Sequence, residues 1–386
     1  MARIKAFELY AVDLPFRRSF RHAAAVRRTS ESIFLKCLTD DGHVGFGESL
    51  PRAYVTGETR KGAFSLLQED ILPRLLGMEF HSLAQVLSFL HECDGKAPSQ
   101  WASHHRPQNA AWAAVDLALL DAFGRAFGRA VRINTAAALE ANVRFSAVLS
   151  AQSPLRALLQ LARIRLYGLR QLKLKVGQNL DRRIVRTARQ VLGASARIIV
   201  DANMAWNFQQ TLEAMAFLAR KGIRCVEQPT RADDVETLAN LVARTDFEII
   251  ADESIHDRKS LRMLIARNGC TGVNVRISKC GGLIASYNRC REALQAGLDV
   301  HLGCQVGESS LLSAAQLILL SALKQVKYCE GCFGLHLLQC DPVRPLVQFG
   351  YAGCPPELPQ DDGLGIQLNP EALAPWCSQS ARIGHS

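Results

Sequence analysis

The sequence predicts an α/β protein, a parallel (β/α) barrel preceded by an α+β domain. Two observations carry the prediction. From residue 143 onward, eight short β-branched runs alternate with helical patterns, and their ends fall close to 25 residues apart. Strands and helices alternating at one such period build a parallel barrel rather than an open sheet. The length of 386 residues suits a barrel plus one further domain.

The amino-terminal part has a different character. Ile4–Phe16 alternates as a strand, and two more strands, Ser32–Leu38 and His43–Glu48, are joined by the turn signal Asp40-Asp41-Gly42. Helical patterns follow over Arg60–Leu76, Ser82–Cys93 and Asn109–Phe127, up to Gly128. The barrel strands are then Val143–Leu149, Gln171–Val176, Arg197–Val200, Arg224–Val226, Glu248–Ala251, Gly272–Ile277, Asp299–Leu302 and Gln325–Tyr328. The tail from Asp341 carries prolines and glycines and a short helix-like piece, Pro370–Trp376, which returns to the first domain. The domains are therefore residues 1–130 (capping domain), 131–340 (barrel) and 341–386 (returning tail).

Composition excludes several function classes. Apolar residues make up 48% and charged residues 21%, which is ordinary for a globular chain. The net charge of +10 raises nucleic acid as a partner. The basic residues are dispersed, however, and Arg182, Arg183, Arg186 and Arg189 fall at the spacing of a solvated helix face. A general positive field favours a small anionic substrate instead. The longest apolar stretch, Leu311–Leu323, is broken by serines and Gln316 and is too short to cross a bilayer. Twelve scattered cysteines, many in apolar stretches (Cys37, Cys225, Cys304), read as free buried thiols. Residues 1–15 alternate like a strand and carry Glu8 and Asp13, unlike a secretory signal. The expectation is a reduced cytoplasmic protein with neither membrane nor nucleic acid as partner.

In a parallel barrel the polar residues at the carboxy-terminal strand ends face the active site. Asp201, Glu227 and Asp252 end three consecutive strands, 26 and 25 residues apart. Adjacent strands lie about 4.8 Å apart, so three acids in phase converge on one volume and call for a cation between them. All-oxygen ligation suits Mg²⁺ first and Mn²⁺ second. The alternative, that each acid only pairs with a barrel lysine, suits one acid better than three in phase. Lys173 and Lys175 lie two apart on a strand and share a face. A second ammonium and a metal nearby would bring the Lys175 ammonium down from about 10.4 toward a useful range. Lys279 is expected to end strand six, across the barrel from strand two, so that two lysines flank the substrate. The chemistry that follows is ionisation of the carbon α to a metal-bound carboxylate, with the charge of the enediolate stabilised by the metal.

With these residues in view, the chain resembles the muconate lactonizing enzyme subgroup of the enolase superfamily. The resemblance rests on Lys173-x-Lys175, Asp201, Glu227-Gln228-Pro229, Asp252-Glu253-Ser254 and Lys279-x-Gly281-Gly282. It extends to Gly45-Phe46-Gly47-Glu48, to Tyr54-Val55-Thr56-Gly57-Glu58-Thr59 and to Gly363-Leu364-Gly365. It implies a (β/α)₇β barrel, Mg²⁺ on Asp201, Glu227 and Asp252, and Lys175 and Lys279 as the acid/base pair with Lys173 as modulator. Loops around Phe20–His22 and Tyr54–Thr59 would close over and select the substrate, with Phe20, Tyr54, Thr56, Asn203 and Glu330 touching it. A homo-oligomer is also implied. The subgroup includes muconate cycloisomerases, dipeptide epimerases, N-succinylamino-acid racemases and o-succinylbenzoate synthases. The Asp-x-Asp that dipeptide epimerases carry after strand eight is absent; Cys329-Glu330-Gly331-Cys332-Phe333-Gly334 stands there, and Glu330 resembles the cycloisomerase glutamate one residue out of register. The reading is a cycloisomerase, with a racemase or epimerase of dipeptides or N-acyl amino acids as the alternative. His301 is read as a structural histidine.

A rival class comes from Cys329-x₂-Cys332-x₃-His336-x₃-Cys340, which has the residue types of a compact zinc site. With the basic charge it would make a zinc-containing nucleic-acid-binding protein. Its spacing is tight, the eighth strand runs through it, and strand alternation turns Cys329 and Cys332 to opposite faces. A binding protein that has lost catalysis is disfavoured, because all the polar strand-end positions are filled.

Overall fold

The computed structural model describes residues 1–22, 25–101, 105–134, 138–140, 142–150 and 153–384, with side chains outside 20–26. The cap begins with β1 (Ala2–Val12), β2 (Pro15–His22), β3 (Ala25–Thr29), β4 (Ser32–Thr39) and β5 (Val44–Ser49). The helices α1 (Ala53–Thr56), α2 (Arg60–Leu66) and α3 (Leu72–Leu75) follow, with a π-helical turn, Leu67–Ile71, between the last two. Then come β6 (Glu79–Phe80), α4 (Leu83–Cys93) and α5 (Asn109–Ala126). The expected helix over residues 60–76 is thus one continuous run with a widened turn at its centre.

The cap sheet has the order β17-β1-β4-β5, with β6 also on β1, where β17 is the last strand of the chain, Cys377–Gly384. The tail therefore does return to the amino-terminal sheet: Phe7 pairs with Ile383 and Leu9 with Ala381. The sheet's other face of interest is β5, which lies on α5. A Cβ on Gly45 or Gly47 would run into the backbone of Ala122 or Ala114, so the glycines of the Gly45-Phe46-Gly47 segment are what let helix and strand approach this closely.

The barrel strands are β7 (Ala147–Ser150), β8 (Gln171–Lys175), β9 (Arg197–Asp201), β10 (Cys225–Glu227), β11 (Glu248–Ala251), β12 (Gly272–Val275), β13 (Asp299–Leu302) and β14 (Val326–Cys329). They form one parallel eight-stranded sheet in sequence order. The sheet curls until its ends meet, through a Phe145–Cys329 bridge and a Ser146 N–H donated to the Cys329 carbonyl at 2.9 Å. Helices α6 (Pro154–Leu166), α7 (Arg182–Leu192), α8 (Phe208–Ala219), α9 (Val235–Arg244), α10 (Arg258–Ala266), α11 (Ile277–Cys280), α12 (Leu283–Gln295) and α13 (Ser310–Ala322) connect them. This is a TIM-like barrel with an amino-terminal cap. All eight runs expected from the sequence are strands here. A short pair, β15 (Val343–Arg344) with β16 (Gln367–Leu368), completes the tail before β17.

One boundary matters for the site. Strand six was expected to reach Ile277, but β12 stops at Val275 and residues 277–280 turn into α11. The turn is closed by Gly281 and Gly282 at φ 91° and 108°, conformations that suit glycine. There a Cβ would strike Gly95 or Asp116 of the cap. Lys279 therefore lies in a helical turn docked on the cap and not at a strand end.

Cap and barrel are also joined by buried polar bonds. Glu48 of β5 accepts from Ser309 Oγ at 2.6 Å and from the Ser309 N–H at 3.2 Å, at the start of α13. Burial pushes the Glu48 carboxyl up to about 8. Among the described residues no helix is long and apolar enough to cross a membrane. All twelve cysteines are free thiols.

Candidate active site

Strand register sets out the barrel interior in layers. Lys175 pairs with Asp201, and Asp201 with Glu227, which pairs in turn with Ile250. Side chains two residues apart share a face, so Asp252 stands one layer above Ile250, just past the end of β11. By the same parity Gly272, Asn274 and Arg276 face inward together. The three expected acids are fully buried and neighbour one another at the mouth.

Each acid has a cation beside it. Lys175 Nζ donates to Asp201 Oδ2 at 2.9 Å and to Asn203 Oδ1 at 3.2 Å. Lys173 Nζ lies 2.9 Å from Glu227 Oε1 and 2.7 Å from Glu330 Oε2. Lys279 Nζ donates to Asp252 Oδ1 at 2.7 Å. Arg276 Nη2 contacts Asp252 Oδ2 and lies 3.8 Å from Glu227 Oε1. Among the described residues no three His, Cys, Asp or Glu side chains are drawn together tightly enough to hold a metal as they stand. One observation fits a hard cation: Glu227 Oε2, fully buried, has no hydrogen-bond partner, and an orphaned buried carboxylate oxygen is costly unless a positive group meets it.

These neighbours shift the protonation of the site. Burial opposes charge on Lys175, but Asp201 outweighs it and raises the ammonium above the ordinary lysine value. Lys173 does push Lys175 downward, as the sequence suggested, but it does not prevail over Asp201. Lys173 is itself held well above the ordinary value, with Glu227 and Glu330 overcoming burial. Glu227 is lowered, because Lys173 and Arg276 overcome its burial. Burial lowers Lys279 to about 7, with Arg276 adding to the effect.

A cavity of about 490 Å³ opens beside this cluster. Lys175, Glu330 and Cys304 line its inner end, Tyr167, Phe333 and Phe349 its apolar wall, and Arg17, Arg18 and Arg163 also border it. Of the expected substrate contacts, Glu330 lines the cavity, and Asn203 stands at Lys175 with its Nδ2 donating to Glu253 Oε1 at 3.1 Å. Tyr54 and Thr56 do not line it: Tyr54 lies in α1 with the Arg27 guanidinium 6.0 Å from its ring, and Thr56 Oγ1 bonds the Arg52 carbonyl at 3.3 Å. The side chain of Phe20 lies outside the described residues.

Several neighbours were given no role of their own by the sequence, although Gln228 and Glu253 stand in its motifs. Gln228 Oε1 accepts from the Asp252 and Ser254 N–H groups at 2.9 and 3.1 Å, which fixes the loop carrying Asp252. Asn274 Nδ2 donates to Glu227 Oε1 at 2.8 Å. Burial, with Asp201 and Glu227 nearby, pushes Glu253 up to about 7. Arg276 could have been found by counting parity from Asn274. The cysteine–histidine run does not converge: His336 Nε2 bonds the Phe349 carbonyl at 3.1 Å and its ring lies 4.6 Å from the Phe349 ring, while Cys329 and Cys332 are buried apart from it in the core. That removes the zinc module. His301 is buried against Tyr328, ring centroids 5.4 Å apart.

Fold and site together define a capped-barrel enzyme whose polar groups gather at the carboxy-terminal strand ends. Residues 6–132 match the mandelate racemase / muconate lactonizing enzyme amino-terminal domain, and residues 156–372 match the enolase carboxy-terminal domain-like family. The chain belongs to the enolase superfamily, in the mandelate racemase and muconate lactonizing enzyme branch. Its relatives are isomerases, and this chain is an enzyme of that kind. It is 27% identical to an N-succinyl-L-Arg/Lys racemase of Bacillus cereus over 374 residues, covering 96% of this chain and 97% of the relative. The crystal structure of the N-succinyl Arg/Lys racemase from that organism superposes with a TM-score of 0.87 at 26% identity, covering 99% of this chain and all of the other. A muconate cycloisomerase of Rhodococcus opacus is 25% identical over 380 residues, 97% of this chain and 98% of the relative. A dipeptide epimerase of Cytophaga hutchinsonii, crystallised with Mg and the dipeptide D-Ala-L-Val, shares the fold at 22% identity and a TM-score of 0.86, covering 99% of this chain and 100% of the other.

Proposed function

We propose that this enzyme is a Mg²⁺-dependent isomerase that moves a proton at the carbon α to a carboxylate of a small anionic substrate. The observation that carries the reading is the Lys175 ammonium, which lines the cavity and is bonded to Asp201 in the strand layer that also holds Glu227. Asp201, Glu227 and Asp252 would hold Mg²⁺, or Mn²⁺ in its place. Bound there, the ion supplies positive charge to the substrate carboxylate as negative charge builds on it. With Asp201 engaged as a ligand, its pull on Lys175 would weaken and the amine would come closer to a working base. Glu330, bonded to Lys173, keeps that lysine off the substrate. The apolar wall of Tyr167, Phe333 and Phe349 suits a carboxylate with an apolar body, and the rim arginines suit a second negative group.

The reaction is read as cycloisomerisation. Racemisation or epimerisation of N-acyl amino acids or dipeptides is the second reading, favoured by what the relatives act on. We also take the barrel to be (β/α)₇β, with the domains at 1–130, 131–340 and 341–386, and the protein to be a cytoplasmic homo-oligomer. The test is α-proton exchange in D₂O, followed by proton NMR, on muconolactone, N-succinyl amino acids and dipeptides. Exchange that appears with Mg²⁺, stops with EDTA and fails in Lys175→Ala is the expected result. Equal exchange by metal-free enzyme would sink the reading.

A further inference from the structure

The helices around a parallel barrel pack one face on the strands and turn the other to water, so the outer face should be polar. α7 obeys this: Ile184, Val185 and Ala188 are buried, while Arg182, Arg183 and Arg186 stand exposed. α6 does not. Its inner face is ordinary, with Ala157 and Leu161 buried and Ile164 packed against the core. At 3.6 residues per turn, Leu155, Leu158, Leu159, Ala162 and Leu166 fall within one arc of about 100° on the opposite side. The four leucines are 68, 44, 53 and 79% exposed. Among the described residues eight large apolar side chains are exposed, and half of them stand on this one helix. Tyr351 is another of the eight, and its ring lies 5.9 Å from that of Tyr167, the residue that ends α6. Single exposed leucines need no explanation, but a stripe along one helix marks a contact surface.

The charge around the stripe has one sign. On the same helical wheel Arg156 and Arg163 flank it on one side and Arg165 on the other. Arg165 donates to the Val191 carbonyl and so ties α6 to α7. From residue 154 to 193 eight arginines are met by a single acid, Asp181, whose side chain caps α7. Residues 154–224 carry 14 Lys and Arg against 3 Asp and Glu, an excess of 11 that accounts for the whole net charge of +10. Basic residues occur along the entire chain, but their excess is confined to this stretch.

We propose that α6 docks this protein on the surface of an anionic lipid bilayer. The leucine stripe enters the boundary between headgroups and acyl chains, and the flanking arginines meet the headgroup phosphates. Leucines on one face with arginines beside them are the make-up of a helix that lies in such an interface, where tyrosine is also at home. The helix has 13 residues, about 20 Å, a length that lies in the plane of a bilayer and does not span it. A second copy of the chain is the poorer occupant. Stripe against stripe would bring arginines against arginines, with no acid on the face to meet them. The expectation that a membrane is no partner rested on the want of a spanning segment, which does not bear on attachment to a surface.

Co-sedimentation with vesicles tests this. One set is phosphatidylcholine alone and the other carries about one third phosphatidylglycerol, both at about 0.1 M salt. The protein is expected to bind the anionic vesicles at least ~10-fold more tightly than the neutral ones. Leu158→Ser combined with Leu159→Ser should weaken that binding about tenfold or more, with the melting temperature held because both side chains are exposed. Arg156→Glu combined with Arg165→Glu should weaken it by a similar factor, and binding by wild type should fall as salt rises. No binding to the anionic vesicles, or equal binding to the neutral ones, overturns the proposal. Binding that survives both double variants overturns it as well. Sedimentation velocity without lipid covers the other occupant: a smaller oligomer in the leucine variant than in wild type would give the stripe to a second copy and overturn the proposal.

Discussion

Glu227→Gln isolates the charge of one acid from its packing. The carboxylate is fully buried, and both of its hydrogen bonds end on one oxygen: Lys173 Nζ at 2.9 Å and Asn274 Nδ2 at 2.8 Å, both on Oε1. The other oxygen, Oε2, has no partner. A glutamine of the same shape keeps both bonds on its Oε1 and puts an N–H₂ where Oε2 stood, turning a free acceptor into donors. Lys173 keeps Glu330 at 2.7 Å, so no ammonium is left alone, and the stability loss should stay below the 3–5 kcal/mol typical of breaking a buried pair. A hard cation, in contrast, loses one of three ligand charges and meets protons in its place. We expect Mg²⁺ affinity to fall at least ~100-fold, which is about 2.8 kcal/mol, in titration calorimetry, with the thermal melt of the metal-free protein little changed. A dissociation constant within a few-fold of wild type would refute Glu227 as a ligand. A collapse of the melt with unchanged affinity in the folded fraction would assign it to structure.

Four further outcomes are expected. EDTA should abolish proton exchange, and Mg²⁺ or, second, Mn²⁺ should restore it, followed by NMR in D₂O. Lys175→Ala should lose about 10²–10⁴-fold in exchange while calorimetry still finds Mg²⁺ bound; near wild-type exchange would remove Lys175 from the chemistry. Glu48→Gln should gain stability over wild type as pH rises: a carboxyl raised to about 8 by burial favours its protonated form in the fold, so its ionisation costs stability increasingly from about pH 4.5 to above 8, by at most about 5 kcal/mol. Melting curves that keep the two proteins a constant distance apart from acid to alkaline pH would contradict this. Gly47→Ala should lower the melting temperature, because the added methyl meets the Ala114 backbone and overpacking costs typically 1–3 kcal/mol.

The eight barrel strands were legible because most are short apolar runs buried on both faces, and the repeat returns each strand end to the same rim. The acids were legible for the same reason, being in phase with that repeat. Three features were not. β17 reads Cys377-Ser378-Gln379-Ser380-Ala381-Arg382-Ile383-Gly384, mostly exposed, and an edge strand with little apolar pattern gives no periodic signal. The end of strand six was misplaced because Val275-Arg276-Ile277 is β-like in composition; what stops the strand is the docking of Gly281 and Gly282 on the cap, a tertiary cause. That two-residue error put Lys279 at a strand end instead of in the helical turn that follows, and left Arg276 unread. The loop over Tyr54–Thr59 was legible as a motif, but its distance from the cavity was not.

That loop still has a route to the site, and it is mechanical. Glu58, at its end, accepts the Ala110 and Ala111 N–H groups at 2.8 and 2.9 Å, holding a carboxylate at the amino-terminal end of α5, where the helix leaves such donors unpaired and favours negative charge. One residue earlier on the same helix end, Asn109 Nδ2 donates to the carbonyls of His256, 2.9 Å away, and Lys279, 3.2 Å away. His256 lies in the loop after Asp252, and Lys279 grips Asp252 from the other side. The amino-terminal end of α5 is therefore a shared anchor: on its outer side the cap loop, on its inner side the two barrel segments that place the third acid. Asp116, two turns along, accepts the first N–H of α12 and keeps the glycine turn seated. A cap built this way does more than cover the cavity. Its central helix sets where Asp252 stands, so a change in the loop over residues 54–59 reaches the acid cluster through backbone anchors, without any of its side chains lining the cavity.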